Sequence, residues 1–143
     1  MIALDTNILA RYLLDDEPAQ ARTARRLLAD AKAQYWIPIT IVLELGWVLR
    51  KAAAPRGVVI ERLRELLSLR NVRAQNADLV FQALRWAAQG MDLADALHLV
   101  LSGKAERFVT FDETLVKQAR TLGVQPLVSA PTWVGQKRKN RSN

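Results

Sequence analysis

The chain begins with MIALDTNILARYLL (residues 1–14), a short apolar run followed by a polar turn and a helical repeat. The apolar run ends at Asp5. Beyond it, Ile8, Leu9 and Leu13 recur with the spacing of one helix face. The stretch therefore predicts a strand, a turn that contains Asp5, and a helix. An aspartate in this position can belong to a functional site or can simply cap the helix, because Asp is a preferred N-cap.

The same order of patterns recurs along the chain. Near the C-terminus, the run FVTF (residues 108–111) stops at Asp112, and a helical pattern follows directly. The predicted strands cover residues 2–5, 35–37, 71–74, 107–110 and 124–128. The predicted helices cover residues 7–14, 18–32, 40–53, 57–69, 76–89, 92–104 and 113–122. Alternating strands and helices indicate an α/β sandwich with parallel strands.

Glu44 is the most unusual acid of the chain. It lies within a predicted helix, and apolar residues such as Ile41, Trp47 and Val48 surround it in the sequence. We expect little solvent-facing surface on this helix, and a buried carboxylate without a partner would be costly. The position therefore favours a functional role for Glu44.

Two further acids open a predicted helix after Gly90. Asp92 can act as its N-cap, which explains this residue without any function. Asp95, three residues later, fits either the acidic partner of a capping box or a functional carboxylate.

Four of these acids are expected to converge. Parallel strands place their carboxyl ends at one edge, where such sheets bind ligands, and both Asp5 and Asp112 follow strands. Two like charges about 4 Å apart repel by roughly 4 kcal/mol at an effective dielectric near 20. Carboxylates that share a cleft therefore need a cation or partial protonation. Oxygen ligands suit Mg²⁺ or Mn²⁺, whereas a chain with no cysteine and a single histidine, His98, disfavours zinc.

Four segments of the chain resemble the acidic motifs of the PIN-domain ribonucleases, and more closely those of the VapC-type toxins of toxin–antitoxin pairs. They are IALDTNIL (residues 2–9), PITIVLEL (38–45), DLADALH (92–98) and VTFDE (109–113). They occur in the order that the family has and span most of the chain. The resemblance implies a PIN-domain-like three-layer sandwich with a central parallel sheet flanked by helices.

The resemblance also implies the site and its chemistry. It identifies Asp5, Glu44, Asp95 and Asp112 as catalytic, metal-binding carboxylates of a Mg²⁺- or Mn²⁺-dependent endoribonuclease. Asp92, Thr6, Asn7 and Thr110 occupy accessory positions, where small polar groups orient the carboxylates or an ordered water. Glu113 stands beside Asp112, and the family pattern favours Asp112. The expected partners are an RNA substrate, a cognate small antitoxin protein and a second copy of the chain in a homodimer.

Composition is consistent with this interpretation. The length of 143 residues, half of them apolar, suggests one domain, which we assign to residues 1–134. The remaining residues, 135–143, form a basic tail that is expected to be disordered. The formal charge is +7, and omitting the four cations of the last seven residues leaves +3. Without cysteines, a basic signal region or a long apolar segment, the chain is expected to be cytoplasmic and without a membrane role.

Two other functions are compatible with the residues. Asp5 after the first strand is typical of aspartate-based phosphatases, but haloacid-dehalogenase-like enzymes have a second aspartate where Asn7 stands. A noncatalytic RNA-binding module would use the acids as helix caps. The larger apolar residues, Trp47 among them, are interpreted as core or interface. Cations such as Arg50 and Arg56 are interpreted mainly as surface residues, some of which can guide RNA.

Overall fold

The computed structural model describes residues 1–14, 16–52 and 54–132. The chain divides into two compact units, Met1–Leu97 and the part from His98 onward. The first contains β1 (Ile2–Ala3), α1 (Thr6–Leu14), α2 (Pro18–Leu28), β2 (Tyr35–Ile37), α3 (Ile39–Lys51), α4 (Arg56–Leu67), β3 (Val72–Ala74), α5 (Ala77–Ala88) and the start of α6 (Leu93–Leu101). The second contains the end of α6, β4 (Arg107–Val109), α7 (Glu113–Leu122) and β5 (Leu127–Ser129).

The first unit is built on a parallel sheet with the strand order β1-β2-β3. Ile2 is aligned with Tyr35, and Tyr35 with Val72. Since all three strands run in the same direction, their carboxyl ends lie at one edge, where each strand leads into a helix. Asp5 and the first turn of α3 both follow strands at this edge. The sheet therefore positions both the turn that contains Asp5 and the helix that carries Glu44.

The second unit contains a separate two-stranded parallel sheet, in which Arg107 of β4 is aligned with Leu127 of β5. Helix α7 connects the two strands. The predicted α/β, PIN-like fold with parallel strands and flanking helices is confirmed. Its strands form one sheet in each unit, whereas the resemblance implied one central sheet.

Buried side chains tie the first sheet to its helices. Tyr35 is almost fully buried, and its hydroxyl donates a hydrogen bond of 2.6 Å to the main-chain oxygen of Leu27. Burial, and then the nearby charge of Asp30, raise the pKa of Tyr35, so the hydroxyl stays protonated and remains a donor. Buried Asn71 donates to the main-chain oxygen atoms of Leu28 and Asp30, at 2.9 and 3.1 Å. The end of α2 is thereby fastened to the start of β3.

Every predicted element is present, and the differences lie at the ends. The helix predicted over residues 18–32 ends at Leu28, because Asp30 forms a turn in which its side chain accepts a hydrogen bond from the Lys32 amide at 3.0 Å. The strand predicted over residues 124–128 begins at Leu127, since Pro126 has no N–H to donate to a neighbouring strand. The assignment of residues 1–134 to one domain stays a prediction, and the tail at 135–143 lies outside the described residues.

None of the helices in the described part of the chain has the length and hydropathy needed to cross a membrane.

Candidate functional site

Asp5 occupies the turn between β1 and α1. Its side chain is exposed, and its Oδ1 accepts a hydrogen bond of 2.8 Å from the main-chain amide of Thr6. This contact orients the carboxylate and leaves the second oxygen available to solvent or a cation. Thr6 is 2% exposed, and its Oγ1 has no hydrogen-bond partner among the described residues. A buried hydroxyl without a partner is unusual and lies directly beside an acid of the predicted site.

Glu44 lies in the second turn of α3, and the prediction that apolar residues enclose it was wrong. Its side chain is exposed and forms no hydrogen bond or ion pair with any described residue. The apolar face of α3 is formed by Val42, Leu45 and Leu49, which are each 1% exposed. Because these residues occupy one face of α3, Glu44 can lie on the opposite face, which is exposed to solvent. Trp47 also lies on the exposed side of the helix and not in the core.

The start of α3 is held by a residue that the sequence analysis missed. Gln75, which follows β3, accepts a hydrogen bond of 3.0 Å from the Ile39 amide through its Oε1. Its own amide donates to the main-chain oxygen of Ile37 at 2.9 Å. Gln75 thereby fixes the first turn of the helix that carries Glu44. No local pattern could have indicated this role, because the two partners are 36 residues apart.

Asp92 is accounted for by structural contacts. Its Oδ1 accepts hydrogen bonds from the amides of Ala94 at 2.9 Å and Asp95 at 3.3 Å, which caps α6. Its Oδ2 pairs with the guanidinium of Arg50 from α3. Partial burial raises the pKa of Asp92, but the Arg50 contact and the two amides outweigh it, so the pKa lies below the ordinary value. The capping explanation holds for Asp92.

Asp95 projects from the first turn of α6 and is half-buried. The segment before it is anchored to α3 both by the pair of Arg50 with Asp92 and by close packing of Leu93 on Gly46. A Cβ atom at Gly46 would lie 2.9 Å from Leu93 Cδ2. A larger residue at position 46 would therefore require the Leu93 side chain to shift.

Asp112 caps α7 and is exposed. Its Oδ1 accepts a hydrogen bond of 3.0 Å from the Leu115 amide, and its own amide donates to Thr110 Oγ1 at 3.0 Å. Thr110 therefore supports the turn that presents Asp112, through the main chain and not through the carboxylate. Glu113 is also exposed and occupies the first helical position. Asn7 is exposed in α1 and lines a groove between α1 and α2.

No metal centre is formed among the described residues. Among residues 1–14, 16–52 and 54–132, no three His, Asp or Glu side chains lie close enough together to hold a metal ion. The chemistry of the donor set nevertheless suits a hard divalent cation, since it consists of carboxylate oxygens with an unpartnered hydroxyl beside one of them. The assignment of Asp5, Glu44, Asp95 and Asp112 as metal ligands stays a prediction.

The parallel sheet with acids after its strands defines an α/β protein with a candidate acidic site. The family model of the PIN domain matches residues 2–121, so the chain belongs to the PIN-domain family. PIN domains generally are metal-dependent nucleases that act on RNA or DNA, and they usually bind divalent metals such as Mg²⁺. No curated protein and no solved structure is significantly similar to the chain.

Proposed function

We propose that this protein is a Mg²⁺- or Mn²⁺-dependent endoribonuclease that acts as the toxin of a toxin–antitoxin pair in the cytoplasm. The observation that carries the proposal is the PIN-domain match over residues 2–121, because all four predicted acidic residues fall inside it. Asp5, Glu44, Asp95 and Asp112 would hold the metal. When bound, a divalent cation lowers the pKa of water and stabilises charge on the phosphate.

The exposure of two acids supports this role. Asp5 and Glu44 are both open to solvent, and Glu44 has no hydrogen-bond or ion-pair partner among the described residues. An unpaired carboxylate on an exposed helix face is available to a cation and costs little to maintain. Asp5 is oriented by the Thr6 amide, which keeps one carboxylate oxygen fixed while the other remains accessible.

The test is cleavage of structured cellular RNAs by purified protein in Mg²⁺, Mn²⁺ or EDTA. Wild-type protein should cleave only with metal, and Glu44→Gln should lose roughly 100-fold or more of this activity, as expected on removing one charged catalytic group. Glu61→Gln is the matched control, because Glu61 is also an exposed helical glutamate. Cleavage that persists in Glu44→Gln, or in EDTA, would contradict the proposal. A DNA panel in the same assay would reveal a different substrate preference.

A groove between α1 and α2 supports the antitoxin part of the proposal. It has a volume of about 370 Å³, and its lining includes Ile8, Ala24 and Leu27. Such a groove suits one apolar face of a partner helix. Exposed Thr23, which also lines it, offers a test. Growth arrest caused by the wild type should be relieved by co-expression of the cognate small antitoxin, and Thr23→Arg should retain the arrest but lose the relief.

The proposed homodimer has its own test, which is the mass of the purified protein by sedimentation equilibrium. A monomer at all concentrations would contradict it.

The phosphatase alternative predicts an aspartyl-phosphate on Asp5, which mass spectrometry after incubation with a phosphate ester would detect.

A further inference from the structure

A cavity of about 400 Å³ lies in the first unit, between α3, α4 and the segment that leads into α6. Its volume falls within the roughly 300–1,000 Å³ typical of ligand sites. Most of its lining is apolar, with Leu43, Val59 and Leu93 among the residues that form it. Trp47, Arg50, Arg56 and Asp92 also line it. The cavity thus combines an aromatic ring with two guanidinium groups.

Trp47, which the sequence pattern leaves as a core or an interface residue, is 51% exposed. Its indole therefore presents a large apolar surface to solvent at the mouth of a cavity. Burying such a surface against a planar partner would release water and be favourable. Nucleobases are planar, and stacking on one aromatic side chain contributes about 1–3 kcal/mol per base.

The two arginines are held in place by protein acceptors. Arg50 pairs with Asp92, and Arg56 donates a hydrogen bond to the main-chain oxygen of Met91. Each guanidinium has five donors, so these contacts leave others for a ligand. The Arg50 side chain remains 63% exposed. The lining contains two arginines against one aspartate, which favours an anion.

Glu44 lies on the same helix as the cavity-lining residues Trp47 and Arg50. The three residues are spaced three apart and are all exposed, so each is the surface neighbour of the next on α3. With a rise of 1.5 Å per residue, each step along the helix axis is about 4.5 Å. A nucleic acid strand bound at Glu44 would therefore meet an aromatic ring and then a cation within two helical turns.

We propose that this cavity binds a nucleotide of single-stranded RNA adjacent to the cleaved bond, with Trp47 stacking on the base and Arg50 and Arg56 contacting phosphates. The inference rests on the proposed nuclease function, since it places the nucleotide next to Glu44. A folded duplex would keep its bases stacked on each other, so a single strand or loop is the form that can use the indole. A protein partner at the same surface is the alternative that the experiment tests.

The experiment measures the fluorescence anisotropy of a labelled single-stranded RNA in EDTA, so that binding is observed without cleavage. Trp47→Ala should weaken binding by roughly 5- to 150-fold, the range that corresponds to 1–3 kcal/mol of stacking. Trp47→Phe should retain most of the affinity, because it keeps an aromatic face. Leu79→Ala is the control, since Leu79 is an exposed apolar residue of α5 outside the cavity lining.

The arginines are tested by salt dependence. Arg56→Gln should reduce the slope of log affinity against log salt by about 0.7, the value for one phosphate contact on a single strand. Arg85→Gln on α5 should leave the slope unchanged, because Arg85 does not line the cavity. RNA should also quench a component of the emission of the four tryptophans that is missing in Trp47→Phe.

The outcomes separate this inference from the proposed function. If wild-type protein cleaves RNA while Trp47→Ala and Arg56→Gln both bind RNA as the wild type does, the inference is wrong and the nuclease function stands. If Trp47→Ala changes the sedimentation mass but not the RNA affinity, the surface belongs to a protein interface and the inference is again wrong. If the wild type neither binds nor cleaves RNA, both proposals fail. Should Trp47→Ala not fold, Trp47→Phe and Arg56→Gln provide the decisive quenching and salt-slope measurements.

Discussion

Arg50 in α3 forms an ion pair with Asp92, which accepts hydrogen bonds from the Ala94 and Asp95 amides in the first turn of α6. The two partners are 42 residues apart in the sequence. One carboxylate thus caps a helix and also links that helix to the one that carries Glu44. Both partners of this ion pair line the cavity that Trp47 also lines.

Asp92 is expected to make stability depend on acid pH. Its folded pKa lies below the ordinary value of 3.8, so its contribution is present above that pH and is lost as the pH falls through the folded pKa. Asp92→Asn keeps a capping side chain but removes the charge, and should lower the free energy of unfolding at pH 7 by up to about 1 kcal/mol, since the pair is partly exposed. Urea unfolding at pH 7 and in acid measures the free energy of unfolding of both proteins. The difference between Asp92→Asn and the wild type should shrink in acid, and a difference that does not change with pH would contradict the lowered pKa of Asp92. Asp78→Asn in α5 is the control.

Asp112 has a structural and a proposed catalytic role that one substitution separates. Asn is as good an N-cap as Asp, so Asp112→Asn should preserve the melting temperature. It should nevertheless abolish metal-dependent cleavage, because an amide is a much poorer ligand for a divalent cation than a carboxylate. Glu113→Gln should retain most of the activity. Cleavage assays and thermal melts of both variants provide the comparison, and the reverse ranking of activities would assign the ligand role to Glu113.

Thr6 offers a prediction in which stability and activity change in opposite directions. Its hydroxyl is buried without a partner in the described residues, which costs about 1–3 kcal/mol. Thr6→Val replaces the hydroxyl with a methyl group and should raise the free energy of unfolding by about 1 kcal/mol in metal-free protein. If the hydroxyl orients a water at the site, the same variant should cleave RNA more slowly. Destabilisation measured by urea unfolding would show that the hydroxyl is satisfied in solution.

Gly46 is expected to resist substitution. Replacing a helical glycine with alanine ordinarily stabilises by about 0.4–1 kcal/mol, and Gly57→Ala should do so because nothing lies within 4 Å of its Cβ position. Gly46→Ala should not, since its Cβ would lie 2.9 Å from Leu93 Cδ2. In a Leu93→Ala background the obstruction is removed, and Gly46→Ala should then become stabilising. Urea unfolding of the four proteins in this cycle measures the coupling, and equal effects in both backgrounds would refute the contact.

The positions and types of all helices and strands could be predicted from local sequence. Strands such as Tyr35–Ile37 are short apolar runs, and the helices have an apolar repeat near 3.6 residues. Both are properties of neighbouring residues. The predicted ends of these helices and strands were less accurate. They depend on features such as the hydrogen-bonded turn at Asp30 and the missing N–H of Pro126. The positions of Asp5 and Asp112 at the starts of helices were also correctly predicted.

The environment of Glu44 was predicted wrongly from the same sequence, and the sequence left Trp47 open between the core and an interface. A helix with apolar residues on most sides does not reveal which face will be covered, because that depends on the number of neighbouring elements that pack against it. In the folded chain Val42, Leu45 and Leu49 are covered, and the remaining face is open.

The sequence by itself thus determines the order of the helices and strands, the strand-to-helix turns at the acids, and the family motifs. It does so because hydrogen bonding and side-chain periodicity act over a few residues. The pairing of Arg50 with Asp92, the capping of α3 by Gln75 and the cavity beside Trp47 arise only on folding. These contacts join residues tens of positions apart, and packing in three dimensions, not local propensity, determines them.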